Sequence, residues 1–247
     1  MTWHLALALG LALLAPISSA SAQQHSDPLE AINRPIFRFN DGLDRWVLEP
    51  LAIGYDFAMP DRAQTWVDNF LTNLRFPIVL ANCVLQGKLE GSASSVVRFV
   101  VNSTLGLGGF GDPATRLAIP KPDEDFGQTL GKWGLKPGAY LMLPLLGPSD
   151  LRDGVGLGVD GVTRVWPFFV DTWVTMSLTG VQTLNTRSLY LEEVRDARHR
   201  SLDYYAFVRD AYLQHRQSLV EDRIGDGGDE GPSPSDDELY FPDPDEE

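Results

Sequence analysis

Two segments of this 247-residue chain carry glycines at the spacing that cradles a dinucleotide, Gly106-Leu107-Gly108-Gly109-Phe110-Gly111 and Gly156-Leu157-Gly158-Val159-Asp160-Gly161. That chemistry needs a helix to start at the glycines, so that its amide groups meet the pyrophosphate, and an acid about 20 residues further on. After the first segment Asp112-Pro113 turns the chain instead, and Asp123, Glu124 and Asp125 come too early. Covalent and metal chemistry find no better footing. The sequence contains no H-E-x-x-H and no G-x-S-x-G elbow. His25, His199 and His215 stand far apart, with His215 expected on a helix surface, and Cys83 lies in an apolar stretch that suits a small buried hydrophobe. A single cysteine also excludes an internal disulfide and every multi-cysteine metal site. No nucleophile, base and orienting group come together, so no catalytic residue, metal or cofactor is expected.

What remains is the chemistry of apolar surface. Between the glycine and proline turns of Gly138 and Gly147-Pro148 runs Tyr140-Leu141-Met142-Leu143-Pro144-Leu145-Leu146. Loops run over the surface, and a loop this apolar either folds into the core or meets lipid or an apolar ligand.

Charge divides the chain into three parts. The formal net charge is -14, from 34 acids and 20 bases, yet residues 1–22 hold none of either and residues 221–247 hold 12 acids and one base. The 198 residues between them carry only -3. So weak a charge argues against nucleic-acid binding, which needs a basic excess. The 13-residue apolar run of residues 5–17 is too short to cross a bilayer, and Ala20-Ser21-Ala22 follows it with the small-residue pattern of export cleavage. Residues 1–22 are therefore expected to be a secretory signal. Residues 221–247, rich in Gly, Pro and acid, are expected to form a disordered acidic tail.

The elements that must position the apolar segment read as helices. Leu29, Ile32, Ile36, Phe39, Leu43 and Trp46 recur at spacings of three and four, with Asp27 suited to the N-cap, Pro28 to the first position, and Pro35 expected to kink the helix. Further helices are expected over 61–74, with Trp66, Phe70 and Leu74 on one face, from Pro77 to about residue 85, and over 88–105 on grounds of length. Residues 106–161 hold 13 glycines, which predicts an irregular, tightly turned middle section. Helical periodicity returns after Asp171 and is clear in the stripe Tyr204, Phe207, Val208, Ala211, Tyr212, His215 and Leu219. No run after the first 22 residues is long enough for a membrane-crossing helix.

At this point the residues match a known pattern. Asp27-Pro28-Leu29-Glu30, Asn33-Arg34, Phe39-Asn40, Asn69-Phe70, Gln86-Gly87 and Arg98-Phe99 lead into Gly108-Gly109-Phe110 and Asp112. Gly138, Tyr140, Leu143-Pro144, Gly147-Pro148-Ser149, Arg152-Asp153, Tyr205, Tyr212 and Arg216 continue it, so that about residues 26–220 are covered in order. In these positions the chain resembles the MlaA/VacJ family of Gram-negative outer-membrane proteins. The resemblance implies an all-α, ring-like bundle of amphipathic helices over residues 23–220, with an apolar hairpin at Tyr140 to Leu146 beside an amphipathic channel. It implies nonenzymatic removal of phospholipids from the outer leaflet to a periplasmic lipid-binding protein, in contact with a trimeric porin. It places the chain on the periplasmic side of the outer membrane. Family members are acylated on a cysteine directly after the signal, where this sequence has Ala20-Ser21-Ala22. A secreted lipid hydrolase and a porin-binding protein without transfer activity are the alternative readings.

Overall fold

The computed structural model describes residues 27–163 and 171–223; the expected signal and the acidic segment beyond Arg223 lie outside them. Helix α1 (Glu30–Leu43) runs into a π-helical turn (Asp44–Leu48) and α2 (Glu49–Ala58). Then come α3 (Asp61–Leu74), α4 (Phe76–Leu85), α5 (Leu89–Thr104), the short α6 (Pro113–Arg116) and α7 (Phe126–Lys132). Strands β1 (Tyr140–Leu143) and β2 (Gly147–Asp150) pair antiparallel, Tyr140 against Asp150 and Leu143 against Gly147. The chain ends in α8 (Leu151–Thr163), α9 (Thr172–Leu189), α10 (Leu191–Arg200) and α11 (Tyr204–Val220). The fold is thus all-α apart from the hairpin that the resemblance implied.

The first helix differs in detail from its expected form. Leu29, not Asp27, precedes its first turn, while the Asp27 carboxylate accepts from the Leu29 amide and the Asn33 side chain. Pro35 lies inside an unbroken helix. Proline there removes only one backbone donor, and the helix leaves the α pattern nine residues later, at the π turn.

Burial runs opposite to the pattern of a water-soluble bundle. On α1 the buried residue is Asn33, while Ile32, Phe39 and Trp46 of the expected apolar stripe face outward. Helix α5 repeats this. Ser94, Ser95, Arg98 and Asn102 are buried, and Leu89, Val96, Val97, Val100 and Leu105 are exposed. Trp66, on the apolar face of α3, is also exposed, over a buried Gln64. The periodicity therefore located the helices correctly and said nothing of which face points inward. Among the described residues no helix is long and apolar enough to cross a membrane.

The glycine-rich middle contains a helix that turn chemistry did not anticipate. Helix α8 carries Gly154, Gly156, Gly158 and Gly161, so the second glycine motif is helical rather than a loop. The reason is close contact with α7: a Cβ on Gly156 would lie 2.5 Å from the Gly127 amide nitrogen. A side chain there forces the helices apart. Gly156→Ala is expected to destabilise the fold by about 1–3 kcal/mol, the usual cost of overpacking. Gly158, with nothing near its missing Cβ, should tolerate alanine with a gain of a few tenths to about 1 kcal/mol. Thermal unfolding of the two variants in detergent checks the contrast.

Candidate functional site: a clamped hairpin beside an amphipathic cleft

Two asparagines of α1 hold the outer edge of β1. Asn33 Nδ2 donates to the Tyr140 carbonyl at 3.0 Å, and its Oδ1 accepts from the Met142 amide at 2.9 Å. Asn40 repeats the arrangement, with Nδ2 donating to the Leu143 carbonyl and Oδ1 accepting from the Leu145 amide, both at 2.9 Å. Each side-chain amide stands in for a neighbouring strand. Asn33 and Asn40 lie seven residues apart, close to two helical turns, so both project from one face of α1. Asn33 meets β1 itself, and Asn40 meets the end of β1 and the turn.

The rest of the family pattern secures the base of this clamp. Tyr205 donates to Asp27, and Asp27 in turn accepts from Asn33. Arg34 reaches Glu30 and Asp203 and lies over the Tyr205 ring at 4.6 Å. Strand pleating splits the hairpin residues. Tyr140 and Met142 turn inward, packed with Tyr205, Tyr212, Ile36 and Phe37. Leu141 and Leu143 are half-buried, and Pro144, Leu145 and Leu146 are exposed at the turn. Phe39 is exposed on the outside of α1. Phe110 stacks on Phe70 with ring centroids 4.7 Å apart, and Asp112 caps α6 while gripping Arg98 and Asn102 of α5. These two residues shape the turn after α5 and lie apart from the hairpin.

Beside the hairpin, α3, α4, α7, α8, α9 and α11 surround a cleft with a cavity of about 90 Å³. Its lining is amphipathic: Leu71, Ile78, Leu157 and Leu178 alternate with Arg75, Asp125, Asp160 and Arg216. None of residues 140–146 lines it. The hairpin borders it through Pro148 and Ser149 of β2 instead, because the pleat commits the inward side chains of β1 to the aromatic cluster. His215, expected on a helix surface, is buried and lines the cleft.

Along the wall of the cleft a buried charge network joins three helices. Arg216 of α11 donates to Asp125 at 2.6 and 3.0 Å and to Asp153 of α8, which also accepts from Arg152 at 2.9 Å and from the Tyr212 hydroxyl at 2.7 Å. Gly127 makes room for it, since a Cβ there would meet Asp153 Oδ1 at 2.5 Å and Arg216 Nη2 at 2.7 Å. Burial alone would push the Asp153 carboxyl up, but Arg216, Arg152 and Tyr212 hold it below its ordinary value. Asp150 is different. One oxygen caps α8 by accepting from the Asp153 amide at 2.8 Å, while the other is buried with no hydrogen-bond partner and lies 3.6 Å from Arg152. Burial and the Asp153 charge raise its pKa to about 6.

A second network escaped sequence reasoning altogether. Arg187 and Arg198 meet Asp44 at 2.8 and 2.7 Å, and Arg195 and Arg198 meet Glu49 at 2.7 and 3.0 Å, fixing the π turn and α2 to α9 and α10. Partners more than 130 residues apart leave no local pattern in the chain.

Two outcomes follow from this geometry. Asn33→Leu strands a buried carbonyl and a buried amide and should cost about 2–6 kcal/mol, at 1–3 kcal/mol for each unsatisfied group. Hydrogen exchange should show lost protection at the Met142 amide in particular. The second concerns pH. A carboxyl raised from about 4 in the unfolded chain to about 6 in the fold contributes most below pH 4, and this contribution disappears as pH rises to 6. The change is on the order of 2–3 kcal/mol. Denaturant titration of the native chain against Asp150→Asn, from pH 4 to 7, should show the slope in the former and its loss in the latter.

A family model described as MlaA lipoprotein matches residues 25–219. The intermembrane phospholipid transport system lipoprotein MlaA of Escherichia coli is 37% identical over 236 residues, which cover 91% of this chain and 89% of that protein. Its namesake in Haemophilus influenzae is 31% identical over 204 residues, 81% of each chain. A solved chain described under "Structural basis for maintenance of bacterial outer membrane lipid asymmetry" superposes with a TM-score of 0.70 at 33% identity, covering 79% of this chain and all of its own. The clamped hairpin, the amphipathic cleft and these matches converge: the chain belongs to the MlaA lipoprotein family.

Proposed function

We propose that this chain takes phospholipids from the outer leaflet of the outer membrane and passes them, chemically unchanged, to a periplasmic lipid-binding carrier while seated against a trimeric porin. The inverted burial carries the reading. Trp46, Phe57, Leu89, Leu107 and Trp173 are all more than three-quarters exposed, far beyond the scattered apolar residues of a soluble surface. Such a surface suits a bilayer. The polar groups of α5 and of the two charge networks are turned inward, where they leave a path that carries both carbon and charge.

The energetics favour such a path. A phospholipid with roughly 30 methylenes would lose on the order of 25 kcal/mol on entering water, at about 0.8 kcal/mol per methylene. A passage lowers this cost when it offers leucine side chains to the tails and polar groups to the headgroup, and both kinds line the cleft. No bond need break. In this reading the turn residues Pro144, Leu145 and Leu146 contact lipid, while Tyr140 and Met142 anchor the hairpin, with Leu141 and Leu143 between.

The names of the Escherichia coli and Haemophilus influenzae relatives point to phospholipid transport, and that of the solved chain to outer-membrane lipid asymmetry. Two substitutions separate seating from transfer. A carboxylate on the outward face, Val97→Asp, meets a penalty of about 2.5–3.5 kcal/mol in hydrocarbon and should move the chain towards the soluble fraction. Leu157→Asp, in the cleft, should leave the chain in the membrane fraction while phospholipid accumulates several-fold in the outer leaflet. If Leu157→Asp leaves outer-leaflet phospholipid unchanged, the cleft is not the route and the porin-binding reading gains.

A further inference from the structure

The hairpin turn also borders a second cavity, separate from the cleft. It measures about 120 Å³, and Phe37, Leu43, Leu48, Met142, Leu145 and Tyr204 give it a largely apolar wall. Several of its polar neighbours are already engaged, and Asp41 and Arg198, which also line it, form an ion pair at 3.1 Å. Both ends of the Asn40 amide hold hairpin backbone, and Asp44 is shared between Arg187 and Arg198. A charged ligand would therefore have to displace existing pairs, and water would find few partners on such walls.

Two backbone features set this cavity apart from a packing gap. Leu48 belongs to the π-helical turn, a distortion that recurs at functional sites. Leu145 holds a φ of 65°, a left-handed conformation that non-glycine residues keep where the surroundings impose it, often at ligand clamps. Here the imposing contact is Asn40, which accepts from the Leu145 amide at 2.9 Å. Leu145, which lines the cavity, belongs to the exposed turn Pro144-Leu145-Leu146.

We propose that this cavity receives the methyl end of one phospholipid acyl chain, so that a lipid at the hairpin is held by its tail outside the cleft. The inference rests on the transport reading above. Volume selects the occupant. An apolar cavity of about 150 Å³ holds one benzene molecule, so this smaller one takes roughly four or five chain carbons, and its largely apolar wall disfavours a headgroup. The wall supplies carbon, and the turn supplies an apolar approach.

The test uses the full chain in deuterated detergent, deuterated except for its methionine methyls, with two phosphatidylethanolamine samples. One is protonated only at the last four chain carbons, the other only at the four nearest the glycerol. A nuclear Overhauser effect to the Met142 methyl is expected from the chain-end sample alone, and it should disappear in Leu48→Trp, where the indole fills the space. No effect in the native chain, equal effects from both samples, or an effect that survives Leu48→Trp overturns the proposal. Lipid transfer measured on the same preparation separates the two ideas. Transfer without the Met142 signal overturns the cavity alone, and the signal without transfer overturns the transport reading alone.

Discussion

A chain that turns its apolar side chains outward must hold its interior together with polar groups, and buried charge is tolerated only when it is paired. That constraint governs this molecule. Arg216, 3% exposed, is held between Asp125 and Asp153, and Arg98 lies between α5 and the α6 cap. Arg187 and Arg198 tie the π turn to α9 and α10. Removing one partner from such a pair leaves an uncompensated charge in the interior, which costs about 3–5 kcal/mol. The interior is therefore specified by geometry more than by hydrophobic volume. A buried Asp150 oxygen without a hydrogen-bond partner stands at the junction of hairpin and helix.

The same economy of polar contacts positions the hairpin. Two strands are too few to be stable alone, and here the missing third strand is supplied by Asn33 and Asn40. Seven residues are close to two helical turns, so one face of α1 can hold both positions. Tyr140 and Met142 then fill the aromatic cluster, and the turn is left standing outside it. A short, apolar, externally exposed turn on a rigid support is well suited to touch lipid.

Much of this was legible before the structure, and the exceptions have physical causes. Spacing of three and four located α1, α3 and α11, because backbone periodicity is local, and α5 was assigned on length. It did not reveal that Phe39 and Trp66 face outward, since a helix has the same period in water and in lipid. Glycine density suggested turns around residue 156, whereas Gly156 serves the contact with Gly127, which depends on a segment nearly 30 residues away. The asparagines, Arg152, Asp153 and the hairpin were reached through the family pattern, and only the coordinates showed what Asn33 and Asn40 bond. His215 was misplaced on the surface, although it shares a stripe with Val208, Ala211 and Tyr212 that faces inward. The Asp44 and Glu49 pairs with α9 and α10 had no sequence signal at all.

The proposed function gives these features one account: apolar residues outside would seat the molecule in lipid, and the mixed lining of the cleft would carry headgroup and tails. The most direct measurement is photocrosslinking in living cells, with a photoactivatable residue placed at Leu157 in the cleft and, separately, at Val97 on the outer face. The account predicts phospholipid adducts at both positions. Adducts at Val97 with none at Leu157 would show a protein that sits in the membrane without conducting lipid, and would contradict it.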